Sequence, residues 1–204
     1  MEKVLVISIG QLPATFASET LITDHSGLSS LDSAQFMDRP LAETDERFRQ
    51  LIPYVVLRQQ DQLFSYVRTR RGHEHRLHEM RSLGVGGHVN PSDLPESLAA
   101  LRDEPIRVLS EAARREIGEE VNGFGSAELK WLGFICSNAT EVERVHLGIV
   151  YVADVDADSI ELTQEGRMSD AHFAGLDELN RDKSRYEGWS AIVIDHLVRE
   201  SNRK

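Results

Sequence analysis

Three glutamates near the middle of the chain have the clearest capacity for chemistry. Glu116, Glu119 and Glu120 stand at positions i, i+3 and i+4 of a stretch that we predict to be helical. At about 100° per residue their side chains project to one side of that helix. Three carboxylates this close repel one another unless a cation lies among them. Hard divalent ions such as Mg²⁺ bind carboxylate oxygens and phosphate oxygens, so the spacing predicts a metal site for phosphate chemistry.

The residues around these glutamates resemble the signature of the Nudix hydrolase superfamily, the Nudix box G-x5-E-x7-R-E-U-x-E-E-x-G-U, in which U is a bulky aliphatic residue. The R-E-U-x-E-E part is matched position for position by Arg115, Glu116, Ile117, Glu119 and Glu120. Upstream, residues 84–89 resemble the strand and Gly-Gly turn that precede the box helix. Downstream, residues 145–151 and 164–166 resemble a later strand and an acidic loop. The resemblance covers roughly residues 51–200.

One departure from the family pattern is an insertion inside the box. The pattern places its second Gly and its Arg 14 positions apart, whereas Gly87 and Arg115 are 115 − 87 = 28 positions apart, an insertion of 28 − 14 = 14 residues. Counted back from Arg115, the first box Glu falls on Arg107, which cannot act as a carboxylate. Counted forward from Gly87, the same position is Asp93.

Three acidic residues are candidates to replace that missing Glu. A second position of the box, its closing Gly, is occupied by Asn122. The candidates are Asp93, Glu104 and Glu111. Glu111 is favoured by its position four residues before Arg115, on the same helix face. Asn122 stands where the box has its closing Gly, and Asn is the next-best residue for the left-handed conformation that ends a helix.

The resemblance also implies a fold and a reaction. The fold is α+β, a Nudix-type α/β/α sandwich with a mixed β-sheet. The reaction is Mg²⁺- or Mn²⁺-dependent attack of water on a diphosphate linkage in a nucleoside diphosphate joined to another moiety. The implied metal ligands are Glu116, Glu119, Glu120 and the backbone carbonyl of Gly86.

Roles for further residues follow from the same resemblance. Glu119, Glu120 or Glu165 is the expected general base. Arg115 is expected to hold the glutamates rather than touch the substrate, because it adjoins Glu119 on the helix. The residues that we expect to bind the substrate are Arg76, Gly87 and His88.

Two other functions stay open at this point. A non-catalytic Nudix-fold module that binds a ligand or regulates a partner is favoured by the missing Glu at Arg107 and disfavoured by the intact R-E-U-x-E-E run. An isomerase of the isoprenoid type would need an accessible, essential Cys136. The sequence around Cys136 instead indicates a buried strand with a core thiol.

Composition narrows the class of protein. The chain has 204 residues, enough for one domain with a sizeable core or one domain plus an extension. With 23 basic and 34 acidic residues, its net charge is −11 and it has no basic block, which argues against general nucleic-acid binding. Cys136 is the single cysteine, and no run approaches the ~18 apolar residues of a membrane helix. We expect a cytoplasmic protein with a small phosphorylated substrate and no membrane contact; a homodimer is left open.

The predicted elements would place the box on one long helix beside a sheet. Residues 1–50 are interpreted as an N-terminal extension packed on a hydrolase domain at 51–204, with a strand at 4–9 and short helices near 30–36 and 45–51. The later predicted elements are a hairpin at 54–58 and 63–68, a strand at 82–89, a helix from Pro105 to about Val121, strands at 129–136 and 145–155, and a helix at 187–199. Ile106, Leu109, Ala113, Ile117 and Val121 form the apolar stripe of the long helix; Trp189, Ile192, Ile194 and Leu197 are core candidates of the last one.

Four histidines could suggest zinc: His73, His75, His78 and His88. Their spacing matches no common zinc pattern, because no second His follows His78-Glu79 at the required distance. They are interpreted as polar strand and loop residues, with His88 beside the predicted site.

Overall fold

The computed structural model describes residues 1–17, 19–69, 79–94, 98–156, 158, 160–163 and 168–203 of the chain. These residues form an α+β fold with a mixed sheet, as predicted. Its strands are β1 (Lys3–Ser8), β2 (Leu21–Ile22), β3 (Gln35–Asp38), β4 (Phe48–Gln59), β5 (Gln62–Arg68), β6 (Arg81–Ser82), β7 (Gly84–Val85), β8 (Val121–Asn122), β9 (Lys130–Ile135), β10 (His146–Asp154), β11 (Glu161–Leu162) and β12 (Met168–Gly175). Its α-helices are α1 (Arg39–Ala42), α2 (Ala99–Asp103), α3 (Pro105–Glu120), α4 (Leu176–Arg181) and α5 (Gly188–Ser201). None of these helices is long and apolar enough to cross a membrane.

The chain divides into two compact units. The first comprises Met1–Tyr54, Gly86–Arg114 and Trp131–Val150, and the second comprises Val55–Val85, Arg115–Lys130 and Tyr151–Lys204.

In the first unit, the N-terminal strand β1 is the central feature. It pairs antiparallel with β3, where Leu5 lies opposite Phe36, and with the start of β4, where Ser8 lies opposite Phe48. Because successive side chains of a strand alternate between faces, Val4 and Val6 point the same way, and both are fully buried. Residues 1–50 therefore supply strands to the sheet of this unit. Their separation as an extension from a domain at 51–204 stays a prediction.

In the second unit, β5 lies between β12 and the end of β4. The hairpin of β4 and β5 pairs Arg58 with Leu63 across a tight turn, in which Gln60 has a φ of 53°. Helix α5 starts after Glu187, whose buried carboxylate accepts hydrogen bonds from the backbone N–H groups of Trp189 and Ser190. This N-cap satisfies two of the amide groups that the first turn of a helix leaves without intrahelical acceptors.

Several predicted elements are confirmed. The strand at 4–9, the helix from Pro105, the strands at 129–136 and 145–155 and the last helix lie within a few residues of their predicted bounds. The hairpin is also present, but its first strand, predicted at 54–58, begins at Phe48. Of the predicted strand at 82–89, only residue 82, in β6, and residues 84–85, in β7, are strand. In α5, Trp189 and Ile194 are buried as expected, Ile192 and Leu197 are half-buried, and Val193 is fully buried.

Two helix predictions in the N-terminal region are wrong. Residues 45–51 form a turn followed by the start of β4, because Phe48 pairs with β1 and so extends the strand. The helix expected near 30–36 is a 3-10 helix at His25–Ser33, and the following residues form β3. In both places pairing with β1, which lies far away in sequence, decides the local structure.

Candidate metal and phosphate site

The box helix α3 is formed by its apolar stripe and its ends. Pro105 opens the helix, where a missing N–H has no cost. Leu109, Ala113 and Ile117 are buried, as is Val121 just after the helix, whereas Ile106 is half-buried. The three glutamates lie beside this stripe and are half-buried.

Arg115 contacts two of the three glutamates directly. Its Nη1 lies 2.8 Å from Oε1 of Glu116 and 3.0 Å from Oε1 of Glu119. The Glu116 side chain is 12% exposed and that of Glu119 is 40% exposed. Glu120 follows Glu119 at the end of the same helix. The carboxylate oxygens of the three glutamates are the hard donors that a divalent ion such as Mg²⁺ binds.

The third glutamate, Glu120, is half-buried, and its charge acts on a buried tyrosine. Burial raises the pKa of the Tyr66 phenol, and the negative charges of Glu187 and Glu120 raise it further against the opposing charge of Arg68. The Tyr66 hydroxyl donates a hydrogen bond of 2.7 Å to the carbonyl of Gly84. Tyr66 is therefore a neutral donor.

The end of α3 is held by Thr163. Its backbone N–H donates to the carbonyl of Glu120 at 3.0 Å, and its hydroxyl donates to the carbonyl of Glu119 at 2.8 Å. The predicted loop carboxylate Glu165 lies outside the described residues, two positions after this anchor. The helix end differs from the expectation in one respect: Asn122 lies in β8, and Gly123, with a φ of 81°, takes the left-handed conformation instead.

Gly86 stands where no larger residue fits. A Cβ added to it would lie 1.8 Å from the carbonyl oxygen of Pro53. Only a residue without a side chain permits this close approach of two backbone segments. Gly87 and His88, which follow it, are half-buried. Arg76, the other predicted substrate-binding residue, lies outside the described residues.

The acidic candidates for the missing box Glu have different surroundings. Asp93 accepts a hydrogen bond of 2.7 Å from the N–H of Asn90 and so caps the turn that begins the insertion. Glu104 forms an ion pair with Arg107 on the surface. Glu111 is exposed on α3. Asp93 and Glu104 thus have local structural roles, and the replacement for the missing Glu stays a prediction.

Cys136 has the environment of a core residue. It is 4% exposed, and burial raises the pKa of its thiol, against a smaller opposing effect of Arg49. A buried thiol with a raised pKa is a poor nucleophile. The interpretation as a core thiol is confirmed, and it disfavours the isomerase alternative.

The structure also brings together three residues that sequence reasoning did not connect. One potential ligand atom from each of Glu43, His88 and His146 lies within 4.8 Å of the others. Glu43 follows α1, His88 follows the Gly-Gly turn, and His146 begins β10. No local pattern links them, because they come from distant parts of the sequence; of these, the sequence singled out only His88.

Comparison with known proteins agrees with the motif and the fold. Protein YmaB of Bacillus subtilis (strain 168) is 34% identical over 165 residues, which cover 79% of this chain and 77% of YmaB. The structure of Tm1382, described as a candidate Nudix hydrolase, aligns with a TM-score of 0.76 and 29% identity over 97% of this chain and 99% of Tm1382. DR0079 of Deinococcus radiodurans shares the fold, with a TM-score of 0.57 and 19% identity over 87% of this chain and 96% of DR0079.

No family model matches the sequence. The similarity to YmaB and Tm1382 nevertheless extends over most of each chain, and the box residues lie on the helix that the motif requires. The chain belongs to the same family as YmaB, and its motif and its likeness to Tm1382 show that it is a Nudix hydrolase, an enzyme that acts on phosphorus-containing acid anhydrides.

Proposed function

We propose that this protein is a metal-dependent pyrophosphohydrolase that cleaves the diphosphate linkage of a nucleoside diphosphate joined to another moiety. The observation that supports it most is the set of three glutamates on one flank of α3, two of which form ion pairs with Arg115. Arg115 pairs with Glu116 and Glu119, and the carboxylate oxygens of all three glutamates are ligands that a hard divalent cation prefers.

In this proposal each glutamate has a role that follows from its surroundings. Glu116, which is less exposed than Glu119, is a metal ligand whose orientation Arg115 fixes. Glu119 and Glu120 complete the ligand set, and the resemblance adds the carbonyl of Gly86. When bound, Mg²⁺ or Mn²⁺ supplies positive charge against the phosphate oxygens and acidifies water.

The proton of the attacking water needs an acceptor. Glu119 and Glu120 are candidates because each carboxylate stands at the end of α3, where the two hydrogen bonds from Thr163 keep the helix from fraying. Glu165 is the third candidate, from the resemblance. Substrate contacts are proposed for Gly87, His88 and Arg76, the last because a guanidinium binds phosphate in a bidentate manner.

The test is release of nucleotide or phosphate from a panel of nucleoside-diphosphate conjugates, with and without Mg²⁺ or Mn²⁺. Wild type and Glu120→Gln are compared, and we expect the substitution to lower kcat/KM by at least about 100-fold, the scale of a lost ligand or general base. Glu200→Gln is the matched control. Glu200 is a solvent-accessible helical glutamate paired with Arg203 at 2.8 Å. We expect its substitution to leave turnover unchanged.

One observation favours a second candidate function, the non-catalytic binding module. Arg107 occupies the position of a box Glu and is engaged by Glu104 on the surface. If wild type binds a conjugate and turns over none of the panel with either metal, the hydrolase proposal is refuted in favour of this module.

A further inference from the structure

Glu43, His88 and His146 form a group of side chains, called here the Glu-His-His cluster, within the first compact unit. We propose that this cluster is a binding site for a divalent transition-metal ion of the Zn²⁺ type. Two imidazoles and one carboxylate are a ligand set that such ions accept, with further coordination positions left for water or another ligand. The proposal does not depend on the function proposed above.

The orientation of His146 fits a metal ligand. Its Nδ1 lies 2.7 Å from the carbonyl oxygen of Val142. A carbonyl only accepts, so Nδ1 donates this hydrogen bond, and in a neutral ring Nε2 carries the lone pair. A hydrogen bond from the second ring nitrogen to a backbone carbonyl is the usual way in which a protein fixes a metal-binding histidine. His146 is only 6% exposed, so its ring cannot turn away into solvent.

Glu43 is likewise held in place. Its Oε1 lies 3.4 Å from Nε of Arg39, and Arg39 also binds Glu2 through Nη1 at 3.0 Å. The backbone N–H of Glu43 donates to the carbonyl of Arg39, which places the residue at the end of α1. The guanidinium thus orients the carboxylate from one side, and His88 lies on another, with Nε2 at 3.9 Å from the same Oε1.

The distances are those of a site that needs a small contraction to close on an ion. In a tetrahedral site with metal–ligand bonds of about 2.05 Å, neighbouring ligand atoms are about 3.4 Å apart. The Glu43–His88 distance of 3.9 Å exceeds this by about 0.5 Å. The ring centroids of His88 and His146 are 5.7 Å apart with planes inclined at 56°. Since the three ligand atoms lie within 4.8 Å of one another, each pair must approach by at most about 1.4 Å to reach the tetrahedral spacing.

The ligand chemistry separates this cluster from the glutamates of α3. Imidazole nitrogen is favoured by Zn²⁺, Co²⁺ and similar ions, whereas Mg²⁺ prefers oxygen donors alone. Excess Mg²⁺ will therefore occupy carboxylate sites and compete poorly at the Glu-His-His cluster. This difference allows the two sites to be tested independently.

The experiment is titration of the metal-free full-length chain with Co²⁺ in excess Mg²⁺, followed by its visible d–d absorption, with Zn²⁺ as the competing ion. We expect one Co²⁺ per chain with a spectrum of nitrogen coordination, displaced by Zn²⁺. Glu43→Gln and His88→Ala are each expected to weaken binding by at least about 10-fold. Zn²⁺ is also expected to raise the thermal unfolding midpoint of wild type and not that of these variants.

A second histidine–glutamate pair supplies the control. His172 Nε2 lies 3.4 Å from Oε1 of Glu178, closer than His88 lies to Glu43, but the pair is largely exposed. Glu178→Gln should leave Co²⁺ and Zn²⁺ affinity unchanged. Far-UV circular dichroism and urea unfolding verify that each variant is folded, and His88→Ala or Glu43→Gln alone suffices if the other fails.

Two outcomes would overturn the proposal. One is that the wild-type protein binds neither Co²⁺ nor Zn²⁺ in excess Mg²⁺; the three side chains would then form a hydrogen-bonding group and not a metal site. The other is binding that Glu43→Gln and His88→Ala leave within twofold of wild type. Neither readout involves turnover, so an inactive panel of diphosphate substrates does not affect the result.

Discussion

Replacing Gly86 by alanine tests the backbone geometry of the Gly-Gly turn. The added Cβ would lie 1.8 Å from the Pro53 carbonyl oxygen, and real Cβ contacts essentially never fall below 3.0 Å, so the two segments must separate by at least 1.2 Å. Forced overpacking of this kind typically costs about 1–3 kcal/mol, and the displaced backbone weakens its own hydrogen bonds. We expect Gly86→Ala to lower the free energy of unfolding by roughly 2–4 kcal/mol.

Gly118 provides the matched control on the box helix. It is exposed, and a Cβ added there meets no atom of the described residues within 4 Å. Alanine is favoured over glycine in a helix interior by about 1 kcal/mol, so Gly118→Ala should stabilise the protein by roughly that amount.

Urea unfolding of wild type and both variants measures the two effects. The free energy of unfolding should fall below that of wild type in Gly86→Ala and rise above it in Gly118→Ala, so that the two variants differ by roughly 3–5 kcal/mol. For a chain of this length, each kcal/mol corresponds to about 2–4 °C in Tm, which gives a second readout. A Gly86→Ala protein as stable as wild type would refute the close backbone approach. A destabilised Gly118→Ala would show that the helix interior is more crowded than described.

Three further predictions concern stability and reactivity. Hydrogen bonds from Arg58 and Lys130 lower the pKa of Asp154 from 3.8 to about 2. The stability that this shift confers is present above the unfolded pKa and is lost as the pH falls toward 2. Asp154→Asn should therefore flatten the fall of the urea midpoint across that acid range, and an unchanged slope would contradict this. Cys136→Ser should leave turnover nearly unchanged, and the wild-type thiol should react slowly with an alkylating reagent until urea is added; rapid alkylation of the native protein would contradict its burial. Glu187→Ala should lower the free energy of unfolding, measured in urea, by about 2–4 kcal/mol, because the buried N–H groups of Trp189 and Ser190 lose their acceptor. Glu187→Gln should lower it by less. Equal losses would argue that packing rather than hydrogen bonding matters.

The box helix could be predicted from the sequence because its signals are local. Leu109, Ala113 and Ile117 recur at helical spacing, Pro105 marks its start, and the pairing of Arg115 with Glu119 follows from their separation of four residues. The hairpin of β4 and β5 could be predicted for the same reason, because runs of residues typical of β-strands flank a short polar turn. Each of these features is decided by residues that are neighbours in sequence.

Features that depend on distant pairing could not be predicted. Residues 45–51 have no strand pattern of their own, and Phe48 becomes part of β4 because Ser8 pairs with it. The Glu-His-His cluster has no spacing rule, since Glu43, His88 and His146 meet only once the first unit has folded. The end of α3 illustrates a finer limit: sequence comparison points to Asn122, but Gly123 takes the left-handed conformation at lower cost.

Metal-dependent attack of water at phosphorus is tested most directly by hydrolysis of an accepted nucleoside-diphosphate conjugate in water labelled with heavy oxygen, with Mg²⁺ present or chelated. We expect the label to enter one phosphate product, and only with the metal present. Glu116→Gln and Glu120→Gln should lose this incorporation, whereas Glu200→Gln should retain it. Label in the non-phosphate product, or equal incorporation after chelation of the metal, would contradict metal-dependent attack at phosphorus by the glutamates of α3.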